Sequence, residues 1–262
     1  MTERGGHHDR RSALLRPWLS ACLLICASGL FVAPVYGQQP DDFRSAIEKI
    51  KSGVAPVSCA HVAAANQFEV RVHGTAFFID PHGAFVTATH VIKSIAETKD
   101  KSCETPAVLV RTDRSAFTSL NLYGLKFIAS DCRIDESADI AQCKTVADPT
   151  EDKKIVAKPA ALTIASDLLP EGTPVAFTGF PVNGLTPYTA RAIIAGYQLI
   201  DSSFKQDRQA QMVVLDKQAW PGSSGGPVYG VDGRVVGMLL QAGNGLAFAR
   251  PGARLNEFLK GP

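Results

Sequence analysis

The chain has 262 residues, of which 45% are hydrophobic and 20% charged, and its formal net charge is +2. This length and composition predict a globular protein with one large core or two modest ones, and they exclude a low-complexity chain. The small net charge excludes a basic nucleic-acid-binding surface of the usual kind, so no nucleic acid is expected as a partner.

The first 37 residues have the order of a secretory leader. Arginines at positions 10, 11 and 16 precede an apolar run over residues 18–36, and Gly37 follows it. This order predicts an exported protein, periplasmic or secreted, that is cleaved after Gly37 and does not contact the membrane afterwards. The apolar run is nearly as long as a membrane helix, so an uncleaved N-terminal anchor is the alternative.

Residues 38–53 predict an N-terminal helical segment, because Phe43, Ile47 and Ile50 recur at helical spacing and Gly53 follows them. From residue 54 the pattern changes to short β-rich runs separated by Gly, Pro, Asn and Asp, which predicts an all-β barrel or sandwich. No second linker interrupts residues 54–262, so they are expected to form one unit, with two β lobes as one arrangement. The predicted strands are 54–63, 67–72, 74–79, 84–88, 107–111, 116–129, 139–146, 161–164, 174–179, 188–199, 211–216, 226–230, 234–241 and 245–249.

A predicted hairpin over residues 74–88 leads to the first candidate catalytic residue. The run VTATHV (86–91) places His90 at the end of its second strand, where an imidazole can act as a general base. The other histidines after the leader, His61, His73 and His82, lie in strand or turn contexts and are expected to be structural or exposed.

Three aspartates spaced four residues apart follow at positions 131, 135 and 139. The first two fall in a polar connection, whereas Asp139 opens a new predicted strand in the run DIA. Asp139 is therefore the candidate acid that orients His90, and a surface acid at the start of a strand is the alternative reading.

Four cysteines remain after the leader, at positions 59, 103, 132 and 143. An even number in an exported protein predicts disulfides, with three possible connectivities. Cys132 and Cys143 flank a short polar connection between two predicted strands, so we expect them to pair across a hairpin, which leaves Cys59 for Cys103. None of the four is spaced as a metal ligand, and no metal site is expected.

The run WPGSSGGP (220–227) contains the candidate nucleophile. Glycines on both sides of Ser224 allow the positive φ angles of a tight turn that presents one hydroxyl. In such a turn the backbone amides of Gly222 and Ser224 can both point at one place beside that hydroxyl and form an oxyanion hole. A glycine-rich surface hairpin without chemistry is the alternative reading.

Four runs, in the order GTAFFI (74–79), VTATHV, DIA and GSSGGP (222–227), resemble the trypsin-like, chymotrypsin-fold serine peptidases, and in particular the bacterial HtrA/Deg group or the V8-like group. The runs VAFTGFP (175–181) and GLAFARP (245–251) extend this resemblance to residues 54–260. It implies two six-stranded antiparallel β-barrels with short terminal helices. It also implies a triad of His90, Asp139 and Ser224 in the chain order of chymotrypsin rather than of subtilisin. Such a peptidase needs no cofactor, and no PDZ domain is expected after residue 262.

The resemblance further implies where the substrate side chain before the scissile bond lies. Residues that line this pocket in the family correspond to Gln218 and the stretch Leu239–Ala242, which contains Leu240, Gln241 and Ala242, with Phe248 nearby. Because this set contains no carboxylate, a small or medium apolar side chain is the expected preference.

The expected partner is thus a polypeptide substrate, and the expected function is that of a serine endopeptidase. Two other functions fit the same fold: a catalytically silent protein that binds extended peptides, and an esterase that uses the same triad. The natural substrate, the regulation and the oligomeric state are left open by the sequence.

Overall fold

The computed structural model describes residues 43–64, 67–97, 105–111, 123–128, 131–146, 159–198 and 212–261. The predicted leader lies outside these residues. The helices are α1 (Phe43–Lys51), α2 (Thr89–Glu97) and α3 (Gly252–Lys260), and no helix in the described part of the chain is long and apolar enough to cross a membrane. The strands are β1 (Val54–Ala64), β2 (Gln67–Phe78), β3 (Ala84–Thr87), β4 (Thr105–Arg111), β5 (Tyr123–Ile128), β6 (Arg133–Asp135), β7 (Ile140–Val146), β8 (Pro174–Gly179), β9 (Tyr188–Gln198), β10 (Met212–Leu215), β11 (Pro227–Tyr229), β12 (Val235–Gly243) and β13 (Leu246–Pro251).

The first sheet has the strand order β3-β2-β1-β4-β5-β7-β6, and β3 also pairs with β7, so the sheet curls back on itself. It contains seven strands rather than the six expected, because a short strand, β6, forms a hairpin with β7 within the predicted polar connection. The two predicted strands 67–72 and 74–79 form one long β2. The pairing with β1 shifts register between Val57 and Ser58, so His73 has no cross-strand partner. This β-bulge lies where the sequence predicted a break between two strands, and the chain continues through it as one strand.

The second sheet is a closed six-stranded barrel in the order β10-β13-β12-β11-β8-β9. All pairings between its strands, as in the first sheet, are antiparallel, and the all-β fold class is confirmed. Residues 161–164 do not form the predicted strand. They make one isolated bridge, between Ile164 and Val235. The segment passes from one sheet to the other, so Leu162 hydrogen-bonds to β2 and the residues after it hydrogen-bond to the start of β12.

The hydrophobic core has two parts. A smaller cluster fills the closed barrel, and a larger one runs through the first sheet and across to the barrel, where it includes Tyr229 and Met238. Helix α1 belongs to this larger core, since Phe43 and Ile50 on its apolar face are buried and the Phe43 ring lies 6.5 Å from that of Tyr229. Burying each such side chain stabilises the fold by about 1.5–3 kcal/mol.

Candidate active site

His90 lies in the first turn of α2, and not at a strand end as predicted, because β3 ends at Thr87 and the helix begins at Thr89. The backbone N–H groups of a first helical turn have no acceptor within the helix. That of His90 donates to Asp139 Oδ1 over 2.9 Å, and the ring Nδ1 lies 2.7 Å from Asp139 Oδ2. An ionised carboxylate only accepts, so Nδ1 carries the proton and Nε2 keeps its lone pair. The His90 side chain is 48% exposed, so a substrate can reach the ring.

Asp139 lies at the end of the β6–β7 hairpin turn, with a left-handed backbone (φ 56°) that is uncommon outside glycine. Its backbone carbonyl accepts a hydrogen bond from Thr89 N over 3.4 Å, so both its backbone and its side chain contact the start of α2. The structure thus brings Asp139, and not Asp135, to His90.

The carboxylate of Asp135 is used within the hairpin itself. It accepts hydrogen bonds from Ser137 Oγ at 2.7 Å and from Ala138 N at 2.9 Å. Partial burial acts to raise the pKa of Asp135, but these hydrogen bonds outweigh it and the pKa is lowered below its ordinary value. Asp135 therefore shapes the turn that presents Asp139.

The serine loop depends on two glycines with positive φ, Gly222 (φ 94°) and Gly225 (φ 84°). A Cβ atom at Gly222 would lie 2.4 Å from the carbonyl oxygen of Phe180, and one at Gly225 would lie 2.0 Å from that of Thr75. The same Cβ at Gly225 would lie 3.1 Å from Ala88 N, two residues before His90. The loop can therefore approach the β3–α2 junction only because these positions lack side chains.

The direction of the N–H groups of Gly222 and Ser224 is fixed by the hydrogen bonds of the carbonyl groups that precede them. Pro221 O accepts from Val182 N over 2.9 Å, and Ser223 O accepts from Gly226 N over 2.9 Å. In a trans peptide the N–H points away from the preceding carbonyl, so the N–H groups of Gly222 and Ser224 face away from these partners. Neither donates a hydrogen bond to any part of the chain that the structure describes. Two free donors beside one hydroxyl are the requirement of an oxyanion hole.

The Ser224 hydroxyl donates to Leu240 O over 2.9 Å. A serine hydroxyl has one proton, so it is not donated to His90 in this conformation. The hydroxyl proton has to turn away from Leu240 O before it can be donated to the imidazole.

A pocket of about 220 Å³ adjoins Ser224. Its lining includes four of the residues predicted from the sequence: Gln218, Leu240, Gln241 and Ala242. Phe248 is not one of the lining residues, because it lies opposite Gln241 on β13 and packs against the core. No carboxylate is among the described residues that line the pocket. Asp216, the nearest acid along the chain, instead accepts a hydrogen bond from Ile193 N on β9.

A larger groove of about 520 Å³ lies on the other side of the β6–β7 hairpin, between it and α3. Its lining includes Arg133, Asp135, Glu257 and Phe258 but none of the three candidate triad residues. The pocket beside Ser224, although smaller, is thus the one that adjoins the candidate nucleophile.

Thr75 on β2 connects the two sheets at the site, and the sequence patterns did not identify it. Its backbone N–H donates to Ser224 O over 2.8 Å, and its hydroxyl donates to Gly222 O over 2.8 Å and accepts from Phe180 N over 3.0 Å. Thr75 is fully buried. The only sign of this role in the sequence is a small hydroxyl-bearing residue directly after Gly74.

Cys132 and Cys143 form the expected disulfide, with their Cα atoms 4.4 Å apart. It closes the hairpin that carries Asp139. Cys59 is also disulfide-bonded, and Cys103, its predicted partner, lies outside the described residues.

Replacing both Cys132 and Cys143 with alanine should lower the free energy of unfolding by about 2–3 kcal/mol, because the unfolded chain loses a short covalent loop. Denaturant unfolding of the variant beside the wild-type protein measures this loss. Peptide mapping of the oxidised wild-type protein that found free thiols at both positions would contradict the pairing itself.

Residues 74–238, more than half of the chain, match the family described as trypsin-like peptidase domain. This range contains His90, Asp139 and Ser224, and also Thr75 in the last part of β2. No curated protein matches the chain significantly. The chain therefore belongs to the trypsin-like peptidase domain family.

Proposed function

We propose that the protein is a serine endopeptidase that hydrolyses peptide bonds through Ser224, His90 and Asp139. The observation that supports this most directly is the two-point contact between Asp139 and His90, at 2.7 and 2.9 Å, next to a glycine-bounded serine loop. The family supplies peptidase chemistry in general, and this contact supplies a reason to assign it to these residues.

In the proposed reaction, His90 Nε2 takes the proton of Ser224 Oγ while Oγ attacks the carbonyl carbon of the scissile bond. The protonated imidazole then gives this proton to the leaving amine, the C–N bond breaks, and an acyl-enzyme remains. Water, activated by His90 in the same way, hydrolyses the ester and restores Ser224. Asp139 holds the ring and stabilises the imidazolium without taking the proton, and no cofactor takes part.

The tetrahedral intermediate carries a negative oxygen, which we assign to the amides of Gly222 and Ser224. One such donor contributes roughly 3 kcal/mol in comparable enzymes. Before attack, the Ser224 hydroxyl has to leave Leu240 O and turn toward Nε2, a rotation about one side-chain bond.

The expected cleavage preference is for small or medium apolar residues such as Val, Ala or Leu before the scissile bond. The pocket of about 220 Å³ has no carboxylate among its described lining residues to pair with a lysine or arginine, and a buried unpaired charge is unfavourable by several kcal/mol. Burial of an apolar side chain there adds about 1.5–3 kcal/mol to transition-state binding. Profiling against a peptide library measures the preference, and dominant cleavage after Arg or Lys would contradict it.

We also propose that the protein is exported. The leader-like order of residues 1–37 and the Cys132–Cys143 disulfide both support an oxidising compartment. N-terminal sequencing of the protein from its native cells should give Gln38 as the first residue, and an intact N-terminus in a membrane fraction would support the anchor instead.

Two substrates, an unfolded polypeptide and a simple ester, distinguish endopeptidase activity from the two alternatives when each is given to the purified protein. An unfolded polypeptide should be cut at internal sites, identified by mass spectrometry of the products, and Ser224→Ala should not cut it. Hydrolysis of a simple ester without any cleavage of the polypeptide would indicate an esterase. If the protein hydrolyses neither substrate, the alternative that remains is the catalytically silent peptide-binding protein.

A further inference from the structure

Arg250 is a buried arginine on β13, with only 4% of its surface exposed. Its Nε donates to Ala138 O over 2.7 Å, although the two residues are 112 positions apart in the chain. Arg250 belongs to the closed barrel and Ala138 to the β6–β7 hairpin of the first sheet. The bond thus joins the half of the molecule that carries Ser224 to the hairpin that carries Asp139.

Ala138 is the residue directly before Asp139, and it is held from both sides. Its N–H donates to the carboxylate of Asp135 and its carbonyl accepts from Arg250. The carbonyl of Ala138 belongs to the peptide group that begins Asp139, so fixing it limits the φ rotation of Asp139. A non-glycine residue at φ 56° needs such restraint, since the left-handed conformation is otherwise unfavourable.

The positive charge of Arg250 also interacts with the acidic residues of the β6–β7 hairpin. Burial and the neighbouring Arg254 lower the pKa of Arg250 from its ordinary value, whereas the carboxylates of Asp139 and Asp135 act to raise it. Arginine stays protonated even when it is buried in a protein. Arg250 is therefore a fixed positive charge that interacts with both carboxylates.

No other described side chain is seen to donate to Asp139 apart from that of His90. The orientation of the acid thus depends on its backbone, and the backbone depends on Ala138.

We infer that Arg250 is a positioning residue: its guanidinium, anchored in the closed barrel, holds the peptide between Ala138 and Asp139 so that both carboxylate oxygens of Asp139 face His90. This inference rests on the proposed function for its effect on catalysis, but not for its effect on the Asp139–His90 contact. Arg250 itself does not touch the substrate.

The test compares Arg250→Gln, which removes the charge and shortens the side chain, with Arg250→Lys, which keeps the charge and one donor. Arg254→Gln is the matched control, because Arg254 lies nearby on α3 and its side chain pairs with Glu257, whereas the hydrogen bond to Ala138 O comes from Arg250. The measurements are kcat and KM for a cleaved peptide and the low-field proton NMR resonance of the His90 Nδ1–H that is bonded to Asp139.

For Arg250→Gln we expect kcat to fall about 10²-fold, since a small misplacement of a catalytic group has an effect of this size, with KM unchanged. The low-field resonance should weaken or disappear. Arg250→Lys should lie between this variant and the wild type, and Arg254→Gln should match the wild type in both measurements.

Wild-type kcat and resonance in Arg250→Gln would overturn the inference, and so would a fall in kcat with an unchanged resonance. If the Gln variant does not fold, the Lys variant decides: a lower kcat with a weakened resonance supports the inference, and wild-type values contradict it. If the wild-type protein hydrolyses nothing, but its resonance is lost in Arg250→Gln and kept in Arg254→Gln, the proposed function fails and the inference stands.

Discussion

Ser224→Ala is expected to reduce peptide hydrolysis by about 10⁶-fold, and His90→Ala by a similar factor. Without the Ser224 hydroxyl no acyl-enzyme can form, and without the His90 imidazole the hydroxyl is too weak a nucleophile at neutral pH. The two losses should not add in the double variant, because both residues act in the same step. Initial rates on one cleaved peptide, at saturating substrate, measure all three variants.

Ser223→Ala is the matched control for the nucleophile. Ser223 is the neighbouring residue of the same type, but its N–H donates to Trp220 O and its carbonyl accepts from Gly226 N, so its backbone holds the loop, and the residue is buried. We expect at most about a tenfold change in its rate, in line with a change of about 1 kcal/mol in loop stability. An inactive Ser223→Ala with an active Ser224→Ala would assign the nucleophile to position 223.

Asp139→Asn is expected to lower kcat by about 10⁴-fold. Asp139 uses one oxygen for the backbone N–H of His90 and the other for Nδ1. An asparagine can keep the first bond with its carbonyl oxygen, which turns its NH₂ group toward Nδ1. His90 then has to accept at Nδ1 and carry its proton on Nε2, where it can no longer act as the base. Values of kcat for the variant and the wild type on one cleaved peptide measure this loss.

Asp135→Asn separates the role of Asp139 from that of its neighbour. An asparagine at 135 can still accept from Ala138 N, so we expect a small loss of stability and most of the activity to remain. An equal loss of kcat in both variants, with intact folds by circular dichroism, would contradict the assignment of the orienting acid to Asp139.

The parts of the site that depend on local sequence could be predicted. The serine loop needs glycines at 222 and 225, and the Cys132–Cys143 pair needs only a short hairpin between them, so both are visible as short motifs. The strand pattern also identified most of the sheet, because alternation and turn residues are local signals.

Helix α2 could not be distinguished from the β-rich runs around it. Val91 and Ile95 have helical spacing, but the helix has only nine residues and directly follows the short strand β3. The same limit applies to β6, which has three residues. Elements this short carry too few residues for a period to show, and tertiary packing decides their conformation.

The contacts between the two sheets could not be predicted at all. Thr75 bonds to the serine loop 147 residues away, and Arg250 bonds to Ala138 across 112 residues. Leu240 O, which accepts from Ser224, is a backbone atom and leaves no trace in the side-chain pattern. Such contacts depend on how the first sheet and the closed barrel pack together, and no local sequence signal encodes that arrangement.

The assignment of Ser224 as an activated nucleophile is tested most directly by covalent labelling. The purified protein is treated with a fluorophosphonate probe, which reacts with serines activated by a base, and the adduct is located by peptide mass spectrometry. We expect one adduct on Ser224, with none in Ser224→Ala and strongly slowed labelling in His90→Ala. A wild-type protein that folds and yet remains unlabelled, or an adduct on another serine, would contradict the account.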